Sequence, residues 1–225
     1  MRPILSACFV IGIALCIFGA SFGVVAVASG ASIAQACVMS LIVFTGASQL
    51  SAVSVVAAGG SIASALGGAY LLACRNAVYG LAMAPTLDGP LWTRFLGAQF
   101  VIDETTAMST AHTDPRLRKW AFWISGIMFG SFWNIGTLIG ALVGSSIDPK
   151  TFGLDVAFPV MFTTMIVPHL ARPSGRRAAL FGAIAVIATA PFLPIGLPIL
   201  VAALGMLFGL APDEVAVSST AGEPQ

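Results

Sequence analysis

Apolar residues fill this chain in long unbroken blocks and do not alternate with polar ones. From Pro3 to Cys74 there is no Asp, Glu, Lys, Arg or His. A helix crosses a bilayer with roughly 20 apolar residues, so this block predicts about three crossings. A second block, Trp120 to Ile147, has the length of one crossing. A third, Ala178 to Pro212, has the length of one long crossing or two short ones. A membrane barrel would alternate apolar and polar residues with frequent turns. Continuous apolar blocks instead predict helices, which satisfy every backbone N–H and C=O within the segment.

Gly, Pro, Ser and charge clusters divide the blocks. The pattern predicts helices over Ile4–Ala28, Ile33–Ala58 and Ser61–Ala84, then a polar loop Pro85–Arg94 and a fourth helix Phe95–Ala111. A basic loop His112–Lys119 leads to a fifth helix, Trp120–Ser146. The loop Ile147–Asp155 precedes a sixth, Val156–Leu170, and Arg172–Arg177 forms the next loop. Pro191, Pro194 and Pro198 interrupt Ala178–Leu210, which reads best as a hairpin of two short helices, with one kinked span as the alternative. The expected architecture is all-α: a polytopic membrane helix bundle of about seven to eight spans. It forms one transmembrane domain over residues 1–211, with a disordered polar tail over 212–225.

Composition strengthens this picture. Of 225 residues, 58% are hydrophobic and 8% charged, against about 25% charged in a soluble domain; mean hydropathy is +0.97. A net charge of +1 gives no case for nucleic-acid binding. Cys8, Cys16, Cys37 and Cys74 lie in apolar stretches without metal-ligand spacing and read as free thiols. Leu5-Ser6-Ala7-Cys8 looks like a lipoprotein processing box, but too few residues precede it for a leader. Basic residues cluster at Arg116, Arg118 and Lys119, and again at Arg172, Arg176 and Arg177. With both clusters cytoplasmic, the N-terminus is cytoplasmic too, provided the fourth helix crosses.

Small residues recur at every fourth position in Gly19–Gly23, Gly126–Gly130, Gly136–Gly140–Gly144 and Gly205–Gly209. Such faces let helix backbones approach closely. Phe18-Gly19-Ala20-Ser21-Phe22 is echoed by Phe129-Gly130-Ser131-Phe132, which hints at an internal repeat.

Polar groups inside spans need a reason, because lipid does not solvate them. Thr45, Gly46, Ser48 and Gln49 fall together in the middle of the second helix, where a break would build a substrate site; helix bridging is the other reading. Arg75-Asn76 lies deep in the third helix and calls for a carboxylate, a carbonyl cluster or water, unless Arg75 snorkels to an interface; a carboxylate is the preferred partner. Asp103 fills that role, on a shared helical face with Gln99 and Thr106. Glu104 points about 100° away, and is the candidate proton-titrating group. Trp133, Asn134 and Thr137 mark the fifth helix, with Asn134 either facing substrate or bonding a neighbouring helix. Gly19–Gly23 matches the pattern of a hydrolase nucleophile elbow but stands in a membrane helix, without the strand–turn–helix context that motif needs. No phosphate loop, dinucleotide fingerprint or zinc motif appears, so the expected protein is no enzyme and holds no cofactor or metal.

Val43-Phe44-Thr45-Gly46-Ala47-Ser48-Gln49-Leu50, then Arg75-Asn76-Ala77-Val78-Tyr79-Gly80, Asp103-Glu104, Asp148-Pro149 and Gly153-Leu154-Asp155-Val156-Ala157 follow one another in order. In order and spacing they resemble the AzlC-type branched-chain amino acid permease family, over residues 12–210. Thr45, Ala73 and Asn76 depart from the family pattern, which puts substrate specificity in play. The resemblance implies export of leucine, isoleucine, valine or methionine across the bacterial inner membrane, with a small AzlD-type partner subunit. With no nucleotide-binding motif in the sequence, an ion or proton gradient is the default driving force. The expected substrate site is Thr45, Gly46, Ser48, Gln49, Arg75, Asn76 and Asn134, with Asp103 and Glu104 as ion pair and proton carrier. A non-transporting assembly subunit and a small-solute channel are the alternatives.

Overall fold

In a computed structural model of the chain, residues 2–145, 163 and 166–209 are described. Among them every regular element is helical. Most of the expected sixth helix, the 147–155 loop with its Asp-Pro and Gly-Leu-Asp matches, and the 212–225 tail lie outside the described residues.

The first helix, α1 (Arg2–Ala28), is followed by α2 (Ile33–Val43), α3 (Gly46–Ala57) and α4 (Ile62–Met83). Next come α5 (Leu91–Gln99), α6 (Asp103–Thr110) and α7 (Pro115–Gly144). α1 and α7 are each long and apolar enough to cross a membrane. Ser32 starts α2 with a reciprocal cap: its side chain accepts from the Gln35 N–H, and Gln35 accepts from the Ser32 N–H at 2.8 Å.

Two helices are broken, the second where a break was one of two readings and the fourth where none was expected. The segment expected as Ile33–Ala58 stops at Val43 and restarts at Gly46, with Phe44 between them at φ 24°, ψ 49°. A side chain at positive φ costs on the order of 1–3 kcal/mol and persists only where its surroundings hold it. Here Phe44 is buried and packs edge-on against Phe100, 6.1 Å between ring centres. The segment expected as Phe95–Ala111 begins earlier, at Leu91, and breaks over residues 100–102. The two breaks sit side by side, and the second serves the first while each is also tied internally. Gln99 Nε2 donates to the freed carbonyls of Leu41 (3.0 Å) and Ile42 (2.8 Å) at the end of α2. Gln49 Nε2, from α3, donates to Met39 at 3.0 Å. Thr105 Oγ1 donates to Phe100 O at 2.5 Å and accepts from the Ile102 N–H at 3.1 Å.

Gln99→Leu would strip two carbonyls of their donor. Both bonds lie on the exposed side of the bundle, where each contributes about 0.5–1.5 kcal/mol net. The variant should melt several degrees below wild type in detergent, and Gln99→Asn, too short to span the gap, should do the same. Equal melting temperatures would show that the clamp is dispensable.

The bundle is built around α1 and α7, which lie along each other through glycine. A methyl group placed on Gly19, Gly23, Gly136 or Gly140 would collide with backbone of the opposite helix: the carbonyls of Trp133, Thr137, Cys16 and Ala20 respectively. On Gly144 it would come 2.7 Å from Val24 Cα. The small-residue faces seen in the sequence are therefore one interlocked seam. α2, α3 and α6 flank this pair, and α4 packs on α3. Phe22, Leu50, Phe129 and Trp133 fill the core. A buried hydroxyl pair, Ser40 with Thr137 at 3.0 Å, ties α2 to α7.

α7 starts ahead of its expected Trp120, because Asp114 accepts from the Arg116 and Leu117 N–H groups and Pro115 supplies the first helical φ. Arg116, Arg118 and Lys119 thus stand on a helix rather than in a loop. Lys119 hydrogen-bonds Asp88 across the surface, and that contact holds the Asp88 carboxyl below the usual carboxylate range. Arg176 and Arg177 are likewise helical, in α8 (Pro173–Thr189), which follows a 3₁₀ turn at Val167–Ala171. The chain then reverses at Gly196, φ 94°, where a side chain would be strained. It returns through α9 (Leu197–Ala202), a 3₁₀ turn and α10 (Met206–Gly209). α9 and α10 pack back on α8, so this region is a hairpin and not a kinked span. Outward-facing Tyr70, Leu81 and Phe192 are 75%, 78% and 84% exposed, as suits a surface solvated by lipid.

Candidate functional site: a polar cavity between two broken helices

Where the breaks meet there is a cavity of about 200 Å³. α3 begins at its edge with Gly46 and Ala47, and no side chain caps that start. α6 begins there with Asp103 and Glu104, acids placed where a helix N-terminus favours negative charge. α4 contributes Arg75 and Asn76, and α7 contributes Trp133. Leu15, Phe18, Phe44 and Ile102 make the rest of the wall apolar.

Arg75 Nη1 lies 2.8 Å from Asp103 Oδ2, with both side chains about a third exposed or less (32% and 26%). The pair joins α4 to α6. Several polar atoms of the lining residues are buried without a hydrogen bond to the protein: Thr45 Oγ1, Asn76 Oδ1, Asp103 Oδ1 and the Trp133 indole nitrogen. Unmet acceptors and an unmet donor therefore surround one small space. Arg75 and Asp103 pair with each other, and no cation is paired with Glu104 among the described residues.

The sequence-based site is partly reassembled and partly redistributed. Thr45, Gly46, Arg75, Asn76, Asp103 and Glu104 line the cavity together. Ser48 and Gln49 do not; both are fully buried behind it, and Gln49 serves the α2 terminus. Asn134 is elsewhere: its amide donates to the Gly130 carbonyl of its own helix at 2.8 Å, beside an outer groove with Leu41 and Ile135. Adjacent residues on a helix point about 100° apart, and it is Trp133 that faces the cavity. The expected shared face of Gln99, Asp103 and Thr106 does not exist, because the helix breaks between Gln99 and Asp103. Asp103 and Glu104, expected to diverge, both line one space at the start of α6. Leu15, Phe18, Phe44 and Ile102 were not singled out in the sequence as lining residues; Phe44 carried a signal only through its place beside Thr45-Gly46.

Fold and site define an all-helical membrane protein with a polar cavity at paired helix breaks, an arrangement consistent with a transporter-type role. The model of the AzlC protein family matches residues 10–147, more than half of the chain, and the chain belongs to that family. That span contains both breaks and the whole cavity. The chain is 30% identical over 180 residues to the inner membrane protein YgaZ of Escherichia coli, covering 73% of this chain and 72% of that protein. It is 28% identical over 201 residues to an uncharacterized membrane protein of Helicobacter pylori, covering 85% and 87%. No solved structure matches it.

Proposed function

We propose that the protein is the large subunit of a secondary transporter that exports branched-chain amino acids, and methionine, across the bacterial inner membrane. It works with a small AzlD-type membrane partner and has no enzymatic activity or cofactor. The chain crosses the bilayer about seven to eight times, with α2–α3 and α5–α6 each making one broken crossing. The N-terminus is cytoplasmic.

The observation that carries this reading is the match between the cavity and a small zwitterion. Its volume of about 200 Å³ lies below the roughly 300–1,000 Å³ of drug-sized sites, and suits a solute of a few heavy atoms. Arg75, the Trp133 N–H and the uncapped start of α3 offer donors for a carboxylate. Glu104 and the free oxygens of Asp103, Thr45 and Asn76 offer acceptors for an ammonium. Leu15, Phe18 and Ile102 suit an aliphatic side chain. An assembly subunit would instead pair its mid-membrane polar groups with one another and leave no such space. Glu104, the acid without a cationic partner, is the proposed site of proton coupling.

Cells loaded with leucine-, isoleucine- or valine-containing dipeptides should release the free amino acid several-fold faster when this chain and its small partner are expressed together. Unchanged efflux of these and of methionine, with both proteins in the membrane, would remove the assigned substrate.

A further inference from the structure

A second, larger cavity of about 480 Å³ lies next to the first. It runs along α4 past Asn76, Gly80 and Ala84, one small step per helical turn, to the surface at Leu91 and the exposed Arg94. At 1.5 Å per residue, Asn76 to Ala84 is about 12 Å of path. The inner and outer cavities have two lining residues in common, Thr45 and Asn76. These two carry oxygens, Thr45 Oγ1 and Asn76 Oδ1, that are buried and hydrogen-bonded to nothing in the protein. One stands at the helix break before α3 and the other one residue after Arg75, so both elements that build the inner site meet at this point.

We infer that Thr45 and Asn76 form a closed polar gate between the outer cavity and the inner site, selective for solutes bearing a primary ammonium. A partition of this kind could have been apolar, or sealed by bonding the two side chains to each other. Instead it presents an unmet amide oxygen and an unmet hydroxyl, both able to accept. A primary ammonium has three N–H donors and can hold both oxygens at once while it passes; an acylated nitrogen has one and cannot. Arg94 at the outer mouth attracts the carboxylate end of the same solute. Only the choice of an amino acid as that solute rests on the transporter reading; the gate itself does not.

The test uses the full chain in ruptured membranes, with Cys8, Cys16, Cys37 and Cys74 replaced by alanine. Ala47→Cys reports on the inner cavity and Gly80→Cys on the outer one, each labelled with a water-soluble maleimide. The Gly80→Cys protein should label rapidly and the Ala47→Cys protein slowly. Adding Asn76→Ala or Thr45→Ala should speed labelling at position 47 about tenfold and leave position 80 unchanged. Equal rates at position 47 with and without the gate side chains would overturn the inference. Asn76→Leu, similar in size but without an acceptor, should cut leucine efflux at least tenfold while Ala47→Cys still labels slowly. Wild-type efflux from Asn76→Leu would overturn the ammonium selectivity. If the intact transporter moves no amino acid at all, the transporter reading fails, and the labelling rates still decide the gate.

Discussion

Arg75→Leu is expected to abolish amino acid efflux while the protein still inserts in the membrane. Two losses combine in this variant. The cavity loses its one cation, so a substrate carboxylate would face Asp103 and Glu104. Asp103, whose Oδ2 lies 2.8 Å from Arg75 and whose Oδ1 is already unpartnered, is left without a counter-charge. Removing one member of a buried pair costs about 3–5 kcal/mol, and pairs with some exposure fall at or below that lower end. Arg75→Leu should therefore melt measurably below wild type. Arg75→Leu combined with Asp103→Leu should recover most of that stability, since two apolar side chains replace the pair, and recover none of the transport. Wild-type efflux from Arg75→Leu would remove this residue from the site.

The largest effect on stability is expected at the seam between α1 and α7. A side chain on Gly140 would run into the carbonyl of Ala20, which is backbone and cannot rotate away. Overpacking costs about 1–3 kcal/mol where neighbours can shift, and more where they cannot. Gly140→Leu should accordingly prevent recovery of folded protein, and Gly140→Ala should lower the melting temperature sharply. Gly80→Ala is the matched control: it is also a helical glycine, but nothing lies within 4 Å of the added carbon. It should melt like wild type or slightly higher, because alanine favours helix. Similar melting of Gly140→Ala and Gly80→Ala would mean that the two helices do not meet along this seam.

Much of this was legible in the sequence, and the gaps have identifiable causes. Long apolar blocks located the helices, because length and hydropathy are local properties. The Gly19–Gly23 and Gly136–Gly144 spacings announced close-packed faces, although nothing in the spacing said that they pair with each other. Thr45-Gly46 marked a weak point in the second helix, and the structure breaks the helix there. The break before Asp103 was missed, since Phe100-Val101-Ile102 looks like any apolar helical stretch. The acidic pair that follows was the available signal: Asp and Glu in succession favour the first turn of a helix over its middle. Once that break is missed, a helical wheel misplaces Gln99, Asp103, Glu104 and Thr106 together. Choosing Asn134 over Trp133 had a different cause. Polarity makes a residue conspicuous in an apolar helix, but the direction it faces depends on which neighbours pack around it, and that is not a local property.

The glycine seam also bears on how the chain comes to be assembled. Its two sides lie far apart in sequence; the nearby Ser40–Thr137 pair spans 97 residues. While the ribosome is still making α2 to α6, the glycine face of α1 has no backbone to lie against. Loop closure over such a distance makes assembly slow. Five further helices, α2 to α6, with Arg75 and Asp103 among them, are therefore made before α7 arrives to fasten the centre. Chains stopped before residue 115 should be short-lived in the cell, and insertion factors that shelter polar helices should matter more for this protein than its small size would suggest.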